Sequence, residues 1–329
     1  MAKDNATPAQ SAGSGESGGD LRIVVVGSVN MDLVVRVPVM LSPGETVQGH
    51  SFSTIPGGKG ANQAIAAAHC GTQVALIGRV GSDDFGERLL LGLQAHGIDT
   101  AAIMVSEGVS TGTAIIVVDD NGENAICVAP GANGLLSPED IDEQMEVLAQ
   151  AHLILLQLEI PPSTALYPIQ QARRYQIPVI LNPSPVPARL DPELLDVDIL
   201  IPNEHEIAQI TGEKGRASDD LHLARIAGFD LIRQGVKAVV VTLGPRGALG
   251  VRANYQSFHV PSFKSRIVDT TGAGDAFCGA LAVAFSRDQD LHGAARFGAA
   301  AGALACNKFG AQPSMPRLEA IERLLQRSC

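Results

Sequence analysis

Leu153-Ile154-Leu155-Leu156-Gln157-Leu158 is apolar at every position but one and stands between two helical stretches, Pro138–Gln150 and Ser163–Tyr175. A strand without polar alternation is buried on both faces, as in a parallel sheet covered by helices on each side. The pattern continues toward the C-terminus. Apolar runs Pro178–Leu181, Ile199–Ile201 and Ala238–Leu243 alternate with helical Glu204–Thr211 and Ser218–Gln234. Gly247–Arg252 and Tyr255–Val260 read as an antiparallel pair near an edge, and Gly274–Phe285, Leu291–Lys308 and Pro316–Arg327 as helices. Working back, Arg22–Val26 and Val74–Val80 read as buried strands, and Gly60–Cys70 and Asp83–His96 as helices. Leu33–Val37, Thr46–Ile55, Thr113–Asp119 and Asn124–Ala129 are strand-like. The last two flank Asp120-Asn121-Gly122, where Asn-Gly predicts a tight turn with positive φ angles. Strands alternating with helices define the α/β class. No Pro/Ser-rich linker divides the chain, so residues 20–329 are expected to form one large domain, with the early strands as a small β appendage.

Composition narrows the function. A chain of 329 residues, 45% hydrophobic, can bury a core large enough to need no disulfide or structural metal. With no Trp and three Tyr, an aromatic carbohydrate module or a base-stacking RNA binder is disfavoured. The net charge of −11 argues against nonspecific nucleic-acid binding, though not against a phosphate held by backbone dipoles. Cys70, Cys127, Cys278, Cys306 and Cys329 are scattered, with no CxxC pair and no Cys/His cluster, and read as buried free thiols in a reducing cytosol. Residues 1–19, rich in Ser, Gly and Ala, lack an apolar core segment and are expected to be a disordered tail rather than a signal peptide. No apolar run reaches the ~18 residues of a membrane span. A cytoplasmic protein is expected.

The strongest chemical signal is Val268-Asp269-Thr270-Thr271-Gly272-Ala273-Gly274-Asp275-Ala276-Phe277. A Gly-rich turn leads into an apolar helix, whose first amides lack internal partners and carry the positive end of the dipole. Small residues let a phosphate approach those amides. Phosphoryl transfer needs positioning, charge neutralisation and a carboxylate to take the hydroxyl proton. The amides of Gly272, Ala273 and Gly274 suit the first needs and Asp275 the last, ionised at neutral pH by the helix end. An ordinary N-cap after a tight turn is the competing explanation.

Pro56-Gly57-Gly58-Lys59-Gly60-Ala61-Asn62-Gln63 is not a Walker A loop, since Gly60 rather than Ser or Thr follows Lys59. Its glycines allow backbone contact with a polyol, and Lys59 and Asn62 add donors. Asn30 and Asp32, in the segment after the first strand, alternate and could bind vicinal hydroxyls from one side, or could belong to a plain strand-end turn. Glu159 ends the apolar run Leu153–Leu158, a similar strand-end place. Asn203-Glu204-His205-Glu206 and Thr242–Gly247 also fall at carboxyl ends of strands, where an open sheet binds ligands and where a nucleotide with Mg²⁺ is expected. Helix capping and a turn are their plain alternatives, and His205 reads as a surface residue.

In this order, from about Arg22 to Arg327, these segments resemble those of the ribokinase-like (phosphofructokinase-B) carbohydrate kinases. Gly57–Ala64 (GGKGANQA) and Asp269–Phe277 (DTTGAGDAF) are the specific matches. Asn30, Asp32, Glu159, Pro202–Glu206, Thr242–Gly247 and Gly310–Ser314 support them. The resemblance implies a doubly wound three-layer α/β/α sandwich with a β-sheet lid drawn from about Leu33–Ile55 and Thr113–Ala129, two lids packing as a homodimer. It implies ATP-dependent phosphorylation of D-ribose at the 5-hydroxyl. Asn30, Asp32, Gly58, Lys59, Asn62 and Glu159 would contact the sugar, with Asp275 as base. Asn203, Thr242, Leu243, Gly244, Pro245, Arg246, Gly247 and Gly274 would border ATP, and Glu206 would place Mg²⁺ through water. An activating K⁺ would fall near Asp269, Thr271, Ala305, Lys308, Gly310 and Ser314, largely on backbone carbonyls. The Cys306-Asn307-Lys308-Phe309 stretch and the N-terminal tail depart from the family pattern.

Three rivals follow. A deoxyribokinase or another sugar or nucleoside kinase would share the scaffold. A non-catalytic, sugar-responsive regulator is opposed by the intact glycine turn with Asp275 and by the lack of a basic extension. A nicotinamide-dependent dehydrogenase is opposed by the absence of Gly-x-Gly-x-x-Gly after the first strand.

Overall fold

The computed structural model describes residues 21–212, 221–254, 256–287 and 290–328. The expected tail, Cys329, Tyr255 and the start of the expected helix Ser218–Gln234 lie outside the described residues. β1 (Arg22–Val26) opens the main sheet, and β2 (Asn30–Arg36) and β3 (Ser51–Gly57) open a second, smaller one. β4 (Gln73–Gly81), β5 (Ile98–Asp99) and β6 (Ile103–Ser106) return to the main sheet, and β7 (Gly112–Val118) and β8 (Asn124–Ala129) complete the small one. β9 (Leu153–Leu156), β10 (Val179–Leu181), β11 (Ile199–Leu200), β12 (Ala238–Thr242), β13 (Ala248–Arg252) and β14 (Ser257–Val260) then extend the main sheet.

Its order is β14-β13-β12-β11-β10-β9-β1-β4-β5, with β6 also paired to β4. The strands from β12 to β5 pair in parallel, and β13 and β14 run antiparallel at the edge. Alternate residues enter opposite cores. Ile23, Val25, Leu153 and Leu155 face a layer built by helices Lys59–His69, Ala273–Ser286 and Leu291–Ala305. Val24, Val26, Ile154 and Leu156 face one built by Pro162–Tyr175 and Leu221–Arg233. Each such fully buried side chain contributes about 1.5–3 kcal/mol, which is why unbroken apolar runs define this sheet. The expected three-layer sandwich is what forms.

The chain proceeds from β1 to β4 in one direction and from β9 to β12 in the other. The order therefore reverses between β1 and β9, and a crevice opens beyond their carboxyl ends. Glu159 follows β9 there. Across this crevice helix Ala273–Ser286 packs on helix Lys59–His69 in direct contact. A Cβ on Gly279 would stand 2.6 Å from both Ala66 Cβ and the Gln63 carbonyl oxygen. That close approach sets Asn62 and Gln63 opposite Asp275.

The small sheet has the order β3-β2-β7-β8, with β2 parallel to β7 and the outer pairs antiparallel. Three expectations change here and beside it. Asn30 and Asp32 lie within β2 rather than in a strand-end turn, because β2 is hydrogen-bonded on both sides from Asn30 onward. β3 starts at Ser51, not Thr46. The β7–β8 turn is wider than a two-residue one: Asp119 N–H donates to Glu123 O at 3.0 Å, and the Asp119 carboxylate accepts from the backbone of Asn121 and Glu123. Only Gly122 has positive φ in that turn. Elsewhere, the expected helix Pro138–Gln150 breaks at Gln144 into Pro138–Glu143 and Met145–Ala149, with Ile141 and Leu148 buried in one layer. Phe52, Ile115, Ile126 and Val128 leave apolar surface open on the small sheet. Cys70 and Cys278 are buried thiols as expected, whereas Cys127 is exposed on β8 and Cys306 half-buried. No helix among the described residues is long and apolar enough to cross a membrane.

Candidate active site

Glu159 organises one end of the crevice. Its Oε2 accepts from Ser28 Oγ at 2.6 Å, from the Lys59 backbone N–H at 3.1 Å and from Asn30 Nδ2 at 3.4 Å. Ser28 Oγ in turn accepts from Gly60 N–H at 3.3 Å. Buried Asn133 clamps the entry to β2: its Nδ2 donates to Asn30 Oδ1 at 2.7 Å, and its Oδ1 accepts from Val29 N–H at 2.9 Å. Asp32 lies on the same face of β2 as Asn30 and leans over Gly57, where a Cβ would come 2.4 Å from Asp32 Oδ2. Gly58 joins the small sheet to the helix, at φ +89°.

Asp275 lies in the first turn of its helix, buried. Asn62 Nδ2 donates to its Oδ2 at 2.9 Å and Gln63 Nε2 to its Oδ1 at 3.0 Å. The helix end does not hold this carboxyl low, as the sequence suggested. Burial pushes it above the ordinary carboxylate range, with Glu159 adding to the rise, while Lys59 and the two amide donors oppose it. Asp32 is pushed up to about 7, by burial first and then by the charges of Glu159 and Asp275, against Lys59. Burial alone would lower the Lys59 ammonium, but Asp275, Glu159 and Glu206 outweigh it and raise the group. Lys59 thus stands electrostatically between the carboxylates of the crevice and a residue of the next segment, Glu206. Three acids around one ammonium suit a neutral polyol, whose hydroxyls donate to carboxylates without adding charge.

Gly272 is the N-cap at φ +76°, a left-handed conformation, and its α-carbon faces the Ala311 backbone, where a Cβ would approach within 2.9 Å. Gly274 looks onto open space, with nothing within 4 Å of a Cβ built there, so its backbone is accessible to a phosphate. Ala273 differs from the expectation. Its N–H donates to Thr270 O at 3.2 Å and so tightens the turn. The neighbouring loop is tied down by Asp269, which accepts from Thr271 N–H and Oγ1 and, at 2.8 Å, from Gly310 N–H. Burial would raise the Asp269 carboxyl, but those hydrogen bonds outweigh it and, with help from Arg36, hold the group below its usual value.

Along the sheet, Asn203 and Thr242 meet in a parallel bridge that joins the ends of β11 and β12. Asn203 and Glu206 form a reciprocal capping box, each side chain accepting from the other's backbone N–H at 2.8 Å. The capping alternative is therefore realised, and it still places Glu206 where its charge reaches Lys59. Gly244–Arg246 form a 3₁₀ turn, Arg246 pairs with Glu204, and Pro245 accepts from Ser262. Leu243 does not fit a nucleotide contact through its side chain, which is buried in the core; its N–H goes to Gly247 O and its carbonyl to Arg246 N–H. His205 is exposed on its helix, as expected. Of the positions expected around K⁺, Asp269, Thr271 and Gly310 are brought together. Lys308 is exposed, Ala305 is buried with its carbonyl accepting from Lys308 N–H, and Ser314 Oγ donates to Ala311 O.

The comparisons with known proteins agree with this architecture. The model of the pfkB family of carbohydrate kinases matches residues 20–318. A ribokinase of Bacillus subtilis is 40% identical over 304 residues, covering 92% of this chain and 99% of that protein. A deoxyribokinase of Salmonella typhi is 36% identical over 304 residues, covering 92% and 98%. The structure of Arabidopsis thaliana ribokinase complexed with ribose and ATP superposes with TM-score 0.87 at 33% identity, covering 93% of this chain and 99% of that one. The chain belongs to the pfkB family of carbohydrate kinases.

Sequence reasoning missed Ser28, Asn133, Gln157 and Asn182 and gave Gln63 no role. Each is a buried polar side chain near the crevice. Gln63 could have been found, since it directly follows Asn62 in the glycine-rich segment. Asn133 carries no local sign, because its partners lie 103 and 104 residues away.

Proposed function

We propose that this protein transfers the γ-phosphoryl group of ATP to the 5-hydroxyl of D-ribose, giving ribose 5-phosphate and ADP. The observation that carries this reading is the buried Asp275 carboxylate, held by Asn62 and Gln63 in the first turn of the Ala273–Ser286 helix and under the charge of Lys59. The relationship to ribokinases over nearly the whole chain supports it. Asn30, Asp32, Gly58, Lys59, Asn62 and Glu159 hold the sugar, whose hydroxyls supply donors to the carboxylates. Asp275 accepts the proton of the attacking hydroxyl, the part a positioned carboxylate plays in phosphoryl transfer. The backbone at Gly272 and Gly274 steadies the negative charge of the group in flight. Asn203 and the turn Thr242–Gly247, by its backbone, border the nucleotide.

Mg²⁺, when bound, neutralises phosphate charge. Glu206 fits a role in placing it through water, since it adds a carboxylate on the nucleotide side of Lys59. The hard oxygens at Asp269, Thr271 and Gly310, with further carbonyls at Ala305, Lys308 and Ser314, fit a monovalent cation such as K⁺; at Lys308 only the carbonyl suits. Residues 20–329 act as one kinase domain. The small sheet serves as the sugar lid, closing out water, and its open apolar positions at Phe52, Ile115 and Ile126 favour a homodimer through that sheet. The reaction belongs in the cytoplasm, which supplies ATP and keeps thiols such as Cys127 reduced.

The Salmonella relative supports a second reading, deoxyribose as the acceptor. A coupled ADP-release assay across pentoses, hexoses and nucleosides, with and without K⁺, tests the proposal. Ribose should be turned over with the highest kcat/KM, and K⁺ should raise the rate. Preference for deoxyribose would give the second reading, and no sugar-dependent turnover would overturn both.

A further inference from the structure

Behind Asp275 runs a chain of buried amides, of which only the Gln63 contact has entered the proposed reaction. Gln63 and Gln157 are fully inaccessible, and Asn182 is nearly so. The Ile201 backbone carbonyl can only accept, and Asn182 Nδ2 donates to it at 2.8 Å. This sets which way the Asn182 amide faces, so its Oδ1 must accept, and Gln63 Nε2 donates to it at 3.2 Å. The same Gln63 nitrogen donates to Asp275 Oδ1 at 3.0 Å. From the other side, Gln157 Nε2 donates to Gln63 Oε1 at 2.7 Å. The nitrogen end of the Gln63 amide is therefore specified from the end of β10, and Gln157, after β9, packs its amide against the oxygen end. Were it to flip, its carbonyl would face both the Asp275 carboxylate and the Asn182 oxygen, two buried mismatches.

We infer that Gln63, held by Asn182 and Gln157, is a positioning residue that aims the Asp275 carboxylate and keeps it in the proton-accepting form. The inference rests on the proposed role of Asp275 as base. A donor to a buried carboxylate stabilises its charged form, and one to an ionised group is worth enough to change a rate about 10–100-fold. The other groups facing Asp275 are Lys59 and Asn62 from the neighbouring helix, Glu159 and Asp32 across the crevice, and Cys278 on its own helix. None of these substitutes for a donor at Oδ1.

The test is a double-mutant cycle of Gln63→Met and Asp275→Ala, with kcat measured as a function of pH and ribose binding measured by calorimetry. Gln63→Met should lower kcat about 10–100-fold while ribose affinity changes by less than about threefold. The acid limb of its kcat profile should move to higher pH. In the Asp275→Ala background the same change should alter residual turnover by less than about twofold, because a residue acting through Asp275 has nothing left to act on. An equal loss in both backgrounds, or an acid limb that stays in place, would overturn the inference. If Gln63→Met does not fold, Gln157→Met decides. It removes the donor at Gln63 Oε1, so the amide is less firmly held, and should lower kcat about 3–10-fold with the limb moving the same way; an unchanged profile would overturn the inference. Near-normal turnover in Asp275→Ala alone would instead remove the base itself.

Discussion

Lys59 donates its backbone N–H to Glu159 Oε2 at 3.1 Å, across 100 residues of sequence. The N-cap of that helix is Gly58, which has no side chain to offer, so a carboxylate from the end of β9 does the capping instead. One residue therefore ties the sheet to the helix and presents a carboxylate to the crevice. Glu159→Ala should raise the ribose KM at least about tenfold and also lower Tm by a few degrees, since a lost cap costs about 1 kcal/mol. Initial rates and thermal unfolding check both. A KM effect with no change in Tm would deny the capping role.

Lys59 should act mainly on sugar binding. Lys59→Ala is expected to raise the ribose KM by about 10–100-fold with a smaller effect on kcat, as for a contact made in ground and transition states alike. The Asp275 carboxyl also loses the positive charge that opposes its rise, so the acid limb of kcat should move to higher pH. Steady-state kinetics across the pH range test this. A change confined to kcat would contradict the assignment.

Asp32 gives the free protein a pH-dependent stability. Its folded-state pKa, about 7, exceeds the ~3.9 of an unfolded aspartate, so the native state holds the proton more tightly. Stability contributed by this group is present below pH ~4 and is lost as pH rises through about 7. Asp32→Asn should therefore raise Tm by a few degrees at about pH 8 and very little at about pH 4. Thermal melts of both proteins at the two pH values measure it; equal shifts would rule it out.

Gly272 has a left-handed conformation, and the Ala311 backbone stands where a Cβ would go. Gly272→Ala should cost about 1–2 kcal/mol from backbone conformation alone, and more from the contact. The turn must shift away from Ala311, carrying Gly274 with it, so kcat should fall at least about tenfold. Denaturant unfolding and turnover of the same preparation test this. Wild-type stability would show that the turn tolerates a side chain.

The main sheet was legible because a strand buried on both faces is written as an unbroken apolar run, as Leu153–Leu156 and Ala238–Thr242 are. The crevice residues were legible where a motif concentrates them, at Gly57–Gln63 and Asp269–Asp275. What escaped depends on distant partners. Asn30 looked like part of a turn because the β3 and β7 pairings that make it a strand residue come from elsewhere in the chain. Asn133 and Asn182 look like ordinary loop polar residues until folding buries them. Leu243 shows the converse error, since the resemblance set it beside ATP, yet its side chain completes the core that the apolar run Ala238–Leu243 builds. Carbonyl ligands such as those expected at Ala305 and Lys308 leave no side-chain mark at all.

If Asp275 takes the proton from the sugar hydroxyl while other residues hold the sugar, its removal should separate turnover from binding. The most direct measurement is kcat of Asp275→Ala at saturating ATP and sugar, together with the ribose Kd of the same variant. The expected kcat is lower by about 10²–10⁴-fold, with Kd within a fewfold of wild type. Turnover near the wild-type rate would contradict that role for Asp275.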